Sequence, residues 1–132
     1  AALNKGRGLK LAPLTVAVLD AGGHLVAFKR EDRSGILRPD IAIGKAWGAL
    51  GMGFGSREIA ERAKAMTTFF TALTTIAQGR LVPVPGGVLI RNAQGDLVGA
   101  VGISGDTSDN DEACAIAGIE AAGLLAQVGA KG

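Results

Sequence analysis

A chain of 132 residues with no tyrosine, one histidine (His24), one cysteine (Cys114) and two methionines (Met52, Met66) offers few side chains able to hold a metal or attack a carbon. His24 leaves a Gly22-Gly23 turn, where an ordinary polar residue in solvent is the plain account. Its uniqueness argues the other way, making it the best nitrogen ligand present for a haem iron or another transition metal. One histidine does not build a zinc site of the usual kind. Any serine or cysteine nucleophile would need His24 as its base, and nothing in the spacing brings Cys114 to it. Cys114 lies in an apolar helical stretch and reads as a small buried hydrophobe. Ser104, in Gly102-Ile103-Ser104-Gly105, lacks the residue that a nucleophile elbow places between its serine and second glycine.

Two further stretches invite chemistry and decline it. Asp106, Ser108 and Asn110 have the alternate spacing of a calcium loop, but Asp111 replaces the required glycine and Ala117 the bidentate glutamate. They read better as a helix start, with Thr107 or Ser108 as cap and Asp109, Asp111 and Glu112 on the positive end of the dipole. Gly48 to Ser56 is glycine-rich but has no lysine after its last glycine and no strand before it, so it ends a helix and cradles no phosphate.

The elements that must position these residues follow from periodicity. Residues 1–12 form the tail of an amphipathic helix that Pro13 stops. Leu14–Asp20 and His24–Arg30 alternate around Ala21-Gly22-Gly23 as a hairpin. Val88 and Ile90 with Leu97, Val101 and Ile103 make a second one around Asn92–Asp96. At a 72-residue offset Asp20–Val26 falls on Asn92–Val98, and Val16 and Val18 on Val88 and Ile90. Good turn chemistry alone and a true duplication both explain the echo. Pro39 opens a helix through Ala49, Ser56 reads as the N-cap of another to about Lys64, and Met66–Ala77 is helical. Leu81, Val82 and Val84, interrupted by Pro83 and Pro85, make an edge strand at best. The helix after Asp106 runs on toward the C-terminus.

Composition bounds the rest. Hydrophobic residues at 48% against 20% charged describe one folded domain over 1–132, whose core must come from Ala, Val, Ile and Leu because aromatics are scarce. Twenty-one glycines exceed what turns need, which predicts closely packed elements or a buried subunit contact. A net charge of +2 with scattered basic residues argues against nucleic acid, and no apolar run is long enough to span a membrane. A lone cysteine and no signal-peptide pattern suit the cytoplasm, although the first residues read as mid-helix and leave room for a removed leader. The expected fold is α+β, a central antiparallel sheet of about five strands flanked by helices.

Val16–Arg33, Arg38–Trp47, Pro83–Ile90 and Gly95–Ala115, in this order and spacing, resemble the GlcG/HbpS family, which includes the C-terminal domain of PduO-type proteins. The similarity covers about Leu14 to Leu125. It implies a profilin-like sandwich, self-assembly into a homo-oligomer, and haem binding of the kind described for several members, some of which sense or degrade haem. Three functional readings follow, the third a structural one in which the chain is an assembly module with a vestigial pocket. In the first, haem lies in a slot lined by the Gly86-Gly87 and Gly48–Met52 segments, His24 holds the iron with Met52 or Cys114 as weaker alternatives, and Arg38, Lys45 or Arg91 meets the propionates. In the second, an enzyme or binding protein holds a small organic acid near Gly86, Gly87 and the Pro39 helix, with Arg38 on the carboxylate and Asp40, Lys45 or His24 moving a proton.

Overall fold

The computed structural model describes residues 1–130. In chain order the elements are α1 (Ala2–Gly8), β1 (Thr15–Asp20), β2 (Leu25–Arg30), α2 (Arg38–Met52), α3 (Ser56–Ala65), α4 (Thr67–Ile76), β3 (Gly87–Arg91), β4 (Leu97–Ser104), α5 (Ser108–Ala121) and β5 (Leu125–Gln127). The strands form one antiparallel sheet of five in the order β2-β1-β4-β3-β5. Both predicted hairpins are present, side by side in that sheet.

Strand alternation divides the core into two layers. Thr15, Ala17 and Leu19 of β1 point to one face and Val16 and Val18 to the other, as a period of two requires. The first face, with Leu89 and Ala100, packs on Ala46 and Ala49 of α2. The second, with Val88, Ile90, Val101 and Ile103, packs on α1 and α5 through Ala2, Cys114, Ala115 and Ile119. Burying a side chain such as Ile103 contributes about 1.5–3 kcal/mol. A smaller cluster of Phe54, Ile59, Phe70, Ala77 and Leu81 anchors α3 and α4 beside the main body. The outer strand β2 is exposed along its whole length.

The expectation of close packing from glycine holds where α2 crosses the sheet. A Cβ on Gly102 would strike the carbonyl oxygen of Ala42, and one on Gly87 would strike that of Lys45. Only glycine lets these backbones meet.

Four local expectations are corrected. The first helix ends at Gly8, because Lys10 turns left-handed at φ 58° before Pro13 is reached. Ser56 is not a cap: Gly55 holds that position, and Ser56 turns inward, its Oγ accepting from the Gly87 amide at 2.7 Å. The stretch 81–85 forms no strand, since Pro83 and Pro85 remove donors a ladder needs. The fifth strand is instead β5, in a stretch read as helix. The last helix stops at Ala121 because Gly123 takes φ +77° and reverses the chain.

Candidate functional site

The two hairpin turns share one construction. Asp20 Oδ1 accepts the Gly22 and His24 amides at 3.0 and 2.9 Å, and Asn92 Oδ1 accepts those of Gln94 and Asp96 at 3.0 and 2.9 Å. Gly23 and Gly95 supply φ of +85° and +82°, and each turn is followed by the same register shift. The echo in the sequence is therefore an echo in geometry. What differs is the residue after the left-handed glycine, His24 in one turn and Asp96 in the other.

The His24 side chain is 82% exposed, and its Nδ1 lies 3.3 Å from Oδ1 of Asp20. With its proton on Nδ1, facing the carboxylate, the ring presents the Nε2 lone pair to solvent. Asp20 is held below its ordinary pKa first by the His24 amide, so it stays an anion beside the ring. Beside the turn, Ala21, Gly22, Gly23, Trp47, Leu50 and Gly51 line a hollow of about 150 Å³. Trp47 is the floor of this arrangement, its Nε1 2.9 Å from where a Cβ on Gly23 would sit, and Arg80 stacks 3.9 Å over its ring. Across Trp47 and Gly51, Met52 lines a second hollow of about 190 Å³ with Leu73, Ile76 and Leu81.

Arg38, Lys45, Gly86 and Gly87 gather at the opposite end of the sheet, where Thr15 pairs with Ser104; Asp20 pairs with Gly99. The six residues of β1 separate these ends by roughly 17 Å. Lys45 and Asp111 are 2% and 1% exposed and pair at 3.1 Å, and Lys45 Nζ also donates to the Ile103 carbonyl at 2.9 Å. Burial pushes the Lys45 pKa down and Asp111 pulls it back up. Gly86 lies directly over the ammonium, where a Cβ would sit 2.7 Å from Nζ. The Gly87 amide is taken by Ser56, and Arg38 Nη1 donates to Ser104 Oγ at 3.1 Å. Lys45, Asp111 and the two glycines form a buried clamp joining α2, α5 and the sheet, with Arg38 half-buried beside them.

The acidic run 106–112 has a structural use for each carboxylate. Thr107 Oγ1 caps α5 by accepting the Asn110 amide, as expected. Asp111 meets Lys45, and Asp109 and Glu112 both meet Arg57. Arg57 in turn borders a hollow of about 490 Å³ with Ala60, Ala63, Lys64, Pro83 and Pro85. Cys114 is buried, and that burial raises its pKa, which suits packing and not reactivity. Arg91 sits at the same sheet end as His24 but spends its guanidinium on Gln127 and the Gly95 carbonyl. Among the described residues no three His, Cys, Asp or Glu side chains gather as a metal site, and no helix is long and apolar enough to cross a membrane.

Residue inspection alone missed Asp20, Trp47 and Asp111. A signal for Asp20 was present, since an acid four residues before the sole histidine across a tight turn is a ready orienting partner. Trp47 and Asp111 needed the tertiary contacts.

Comparison with known proteins settles what kind of chain this is. A family model described as "Haem degrading protein HbpS-like" matches residues 1–120. The chain belongs to this HbpS-like family. Within it, an uncharacterized 15.0 kDa protein encoded between dhaT and dhaS in Citrobacter freundii is 32% identical over 100 residues, 75% of this chain and 68% of that protein. Among solved structures, a PduOC:heme complex superposes with a TM-score of 0.84 at 26% identity, covering 94% of this chain and 88% of that one. A double mutant of Streptomyces reticuli HbpS gives 0.76 at 27%, covering 92% and 78%. The resemblance in the four sequence blocks and the expected α+β sheet of about five strands are both borne out.

Proposed function

We propose that this HbpS-like chain binds haem with His24 as the iron ligand. The observation that carries the proposal is the His24 imidazole itself, its Nδ1 3.3 Å from an anionic Asp20 while Nε2 is left open. This is the arrangement found behind most metal-bound histidines. Support comes from the haem in a relative of the same fold. The bound group would supply iron-centred redox and ligand-binding chemistry. The chain's own part is to hold the ring, keep Asp20 ionised and offer apolar surface beside it. Leu25, Val26 and Phe28 stand exposed on the strand that follows. The hollow of about 150 Å³ beside the turn is far smaller than a haem needs, so one copy holds the group at its surface without enclosing it.

In this reading Arg38, Lys45, Gly86 and Gly87 do not share the haem with His24, because they lie at the other end of the sheet. The organic-acid alternative has less support. The Lys45 ammonium and the Gly87 amide it would use already have partners inside the fold.

Titration of the purified protein with hemin tests the proposal. We expect a saturable Soret shift in the wild type that His24→Ala abolishes while leaving the far-ultraviolet circular dichroism unchanged. A full-strength shift in His24→Ala would overturn the assignment.

A further inference from the structure

We propose that β2 is the contact strand of a two-fold dimer, pairing edge to edge with β2 of a second copy so that one sheet runs through both. An outer strand with open peptide groups is a template for another strand, and sheets usually blunt it with short length, charge or cover. Here all six residues Leu25–Arg30 are exposed, no helix covers them, and Leu25, Val26 and Phe28 are large apolar side chains, Phe28 at 43% exposure.

The strand's hydrogen bonding selects the register. The Glu31 amide donates to the Leu14 carbonyl, so alternation turns the peptide groups of Glu31, Lys29 and Ala27 toward β1 and those of Phe28 and Arg30 outward. Beyond Ala27 the bulge at Val26 breaks the regular ladder. An antiparallel copy can then place Phe28 on Phe28, Phe28 on Arg30, or Arg30 on Arg30. The second sets Lys29 against Lys29 and the third sets arginine against arginine, both penalised as like charges directly opposite. Phe28 on Phe28 remains, an aromatic pair on the two-fold axis.

Charge agrees with that arrangement. The turn end of β2 carries the half-exposed Asp20 carboxylate beside His24, whereas the far end carries Lys29 and Arg33 against Asp32, Glu31 being spent on Arg7 and the Leu14 amide and Arg30 on the Ser34 carbonyl. Antiparallel pairing lays the acidic end of each strand along the basic end of the other.

A consequence rests on the haem reading above. The same register brings the His24 turn of each copy to the partner subunit's Arg30–Arg33 segment. Cover for the porphyrin, lacking around His24 in one chain, and further cations for the propionates then come from the second copy.

The dimer is tested without haem. Light scattering of the wild-type apoprotein should give an even multiple of the chain mass. Phe28→Pro, which removes an outward N–H and no bond to β1, and Phe28→Lys, which sets two ammonium groups on the axis, should each halve that mass. Ile76→Lys, on an exposed apolar residue of α4, should leave it unchanged. A monomeric wild type, or a mass halved by Ile76→Lys and not by the Phe28 variants, overturns the proposal. Should the Phe28 variants fail to fold, amide hydrogen exchange on the wild type decides. The Phe28 and Arg30 amides should be protected, and fast exchange at both overturns it. Arg33→Ala, beyond the end of β2 away from the chain's own His24, should leave the dimer mass unchanged and weaken hemin binding about tenfold, the loss of one central contact. Unchanged affinity would remove the shared-haem consequence while leaving the dimer standing.

Discussion

Asp20 and Asn92 occupy equivalent places in twin turns, and each side-chain oxygen accepts the same pair of backbone amides. Asp20→Asn is therefore a clean change: the turn keeps its bonds, as its twin shows, and only the negative charge beside the imidazole is lost. We expect hemin affinity to fall by roughly 10–100-fold, as for other orienting partners of metal-bound histidines, with the denaturation midpoint nearly unmoved. Equal affinity in the two proteins would mean that Asp20 shapes the turn and nothing more. Lys45 makes the opposite case, a charged residue that works for stability. Lys45→Ala would leave Oδ2 of Asp111 without its partner at 1% exposure, at a cost of about 3–5 kcal/mol. Lys45→Met with Asp111→Leu should recover most of that in urea unfolding. A double variant no better than the single one would show that the pair is worth more than its replacement. His24 was legible in the sequence as the one imidazole. Lys45 was legible as a cation but not as a buried one, because its partner lies 66 residues away on α5.

At the level of elements, the hairpins could be read because local chemistry decides them: an Asx residue, a left-handed glycine and alternating apolar side chains. The region 81–85 and the C-terminal stretch could not, because apolar content is the same in strand, helix and extended coil. Two prolines decided the first, and the turn at Gly123 decided the second. Glycines divide the same way by their neighbours. Gly102→Ala would force apart β4 and α2 at the Ala42 carbonyl and should destabilise by about 1–3 kcal/mol or more, as overpacking does. Gly8→Ala, with nothing within 4 Å at the end of α1, should be neutral or stabilising by up to about 1 kcal/mol. Equal effects in thermal melts would contradict the packing described. The junction before α5 carries a pH dependence. Asp106 accepts from Asn110 Nδ2 and the Ala12 and Thr107 amides, which hold its pKa below the ordinary 3.8. A carboxylate lowered in the fold stabilises it fully above the unfolded value, and that contribution is lost as pH falls from 3.8 through the folded value. Urea midpoints for Asp106→Asn should consequently fall less steeply than wild type between about pH 5 and about pH 3. Parallel decline would exclude Asp106 as a source of acid sensitivity.

Across the whole molecule, the sheet separates two tasks by its two ends. One end is closed by buried polar pairs that tie α2 and α5 to the strands; the other opens on a turn, an imidazole and an apolar outer strand. Composition foretold the small-residue core and the tight helix–sheet approach, and the four sequence blocks foretold the family. Neither could separate the ends, which depends on strand order. The sequence holds a single histidine, so an iron–histidine bond in this protein can have only one source. The resonance Raman spectrum of the ferrous haem complex reads that bond directly. We predict an iron–histidine stretching band in the wild type that is absent in His24→Ala. A five-coordinate ferrous haem complex of the wild type without the band, or a band that survives the substitution, would contradict His24 as the ligand.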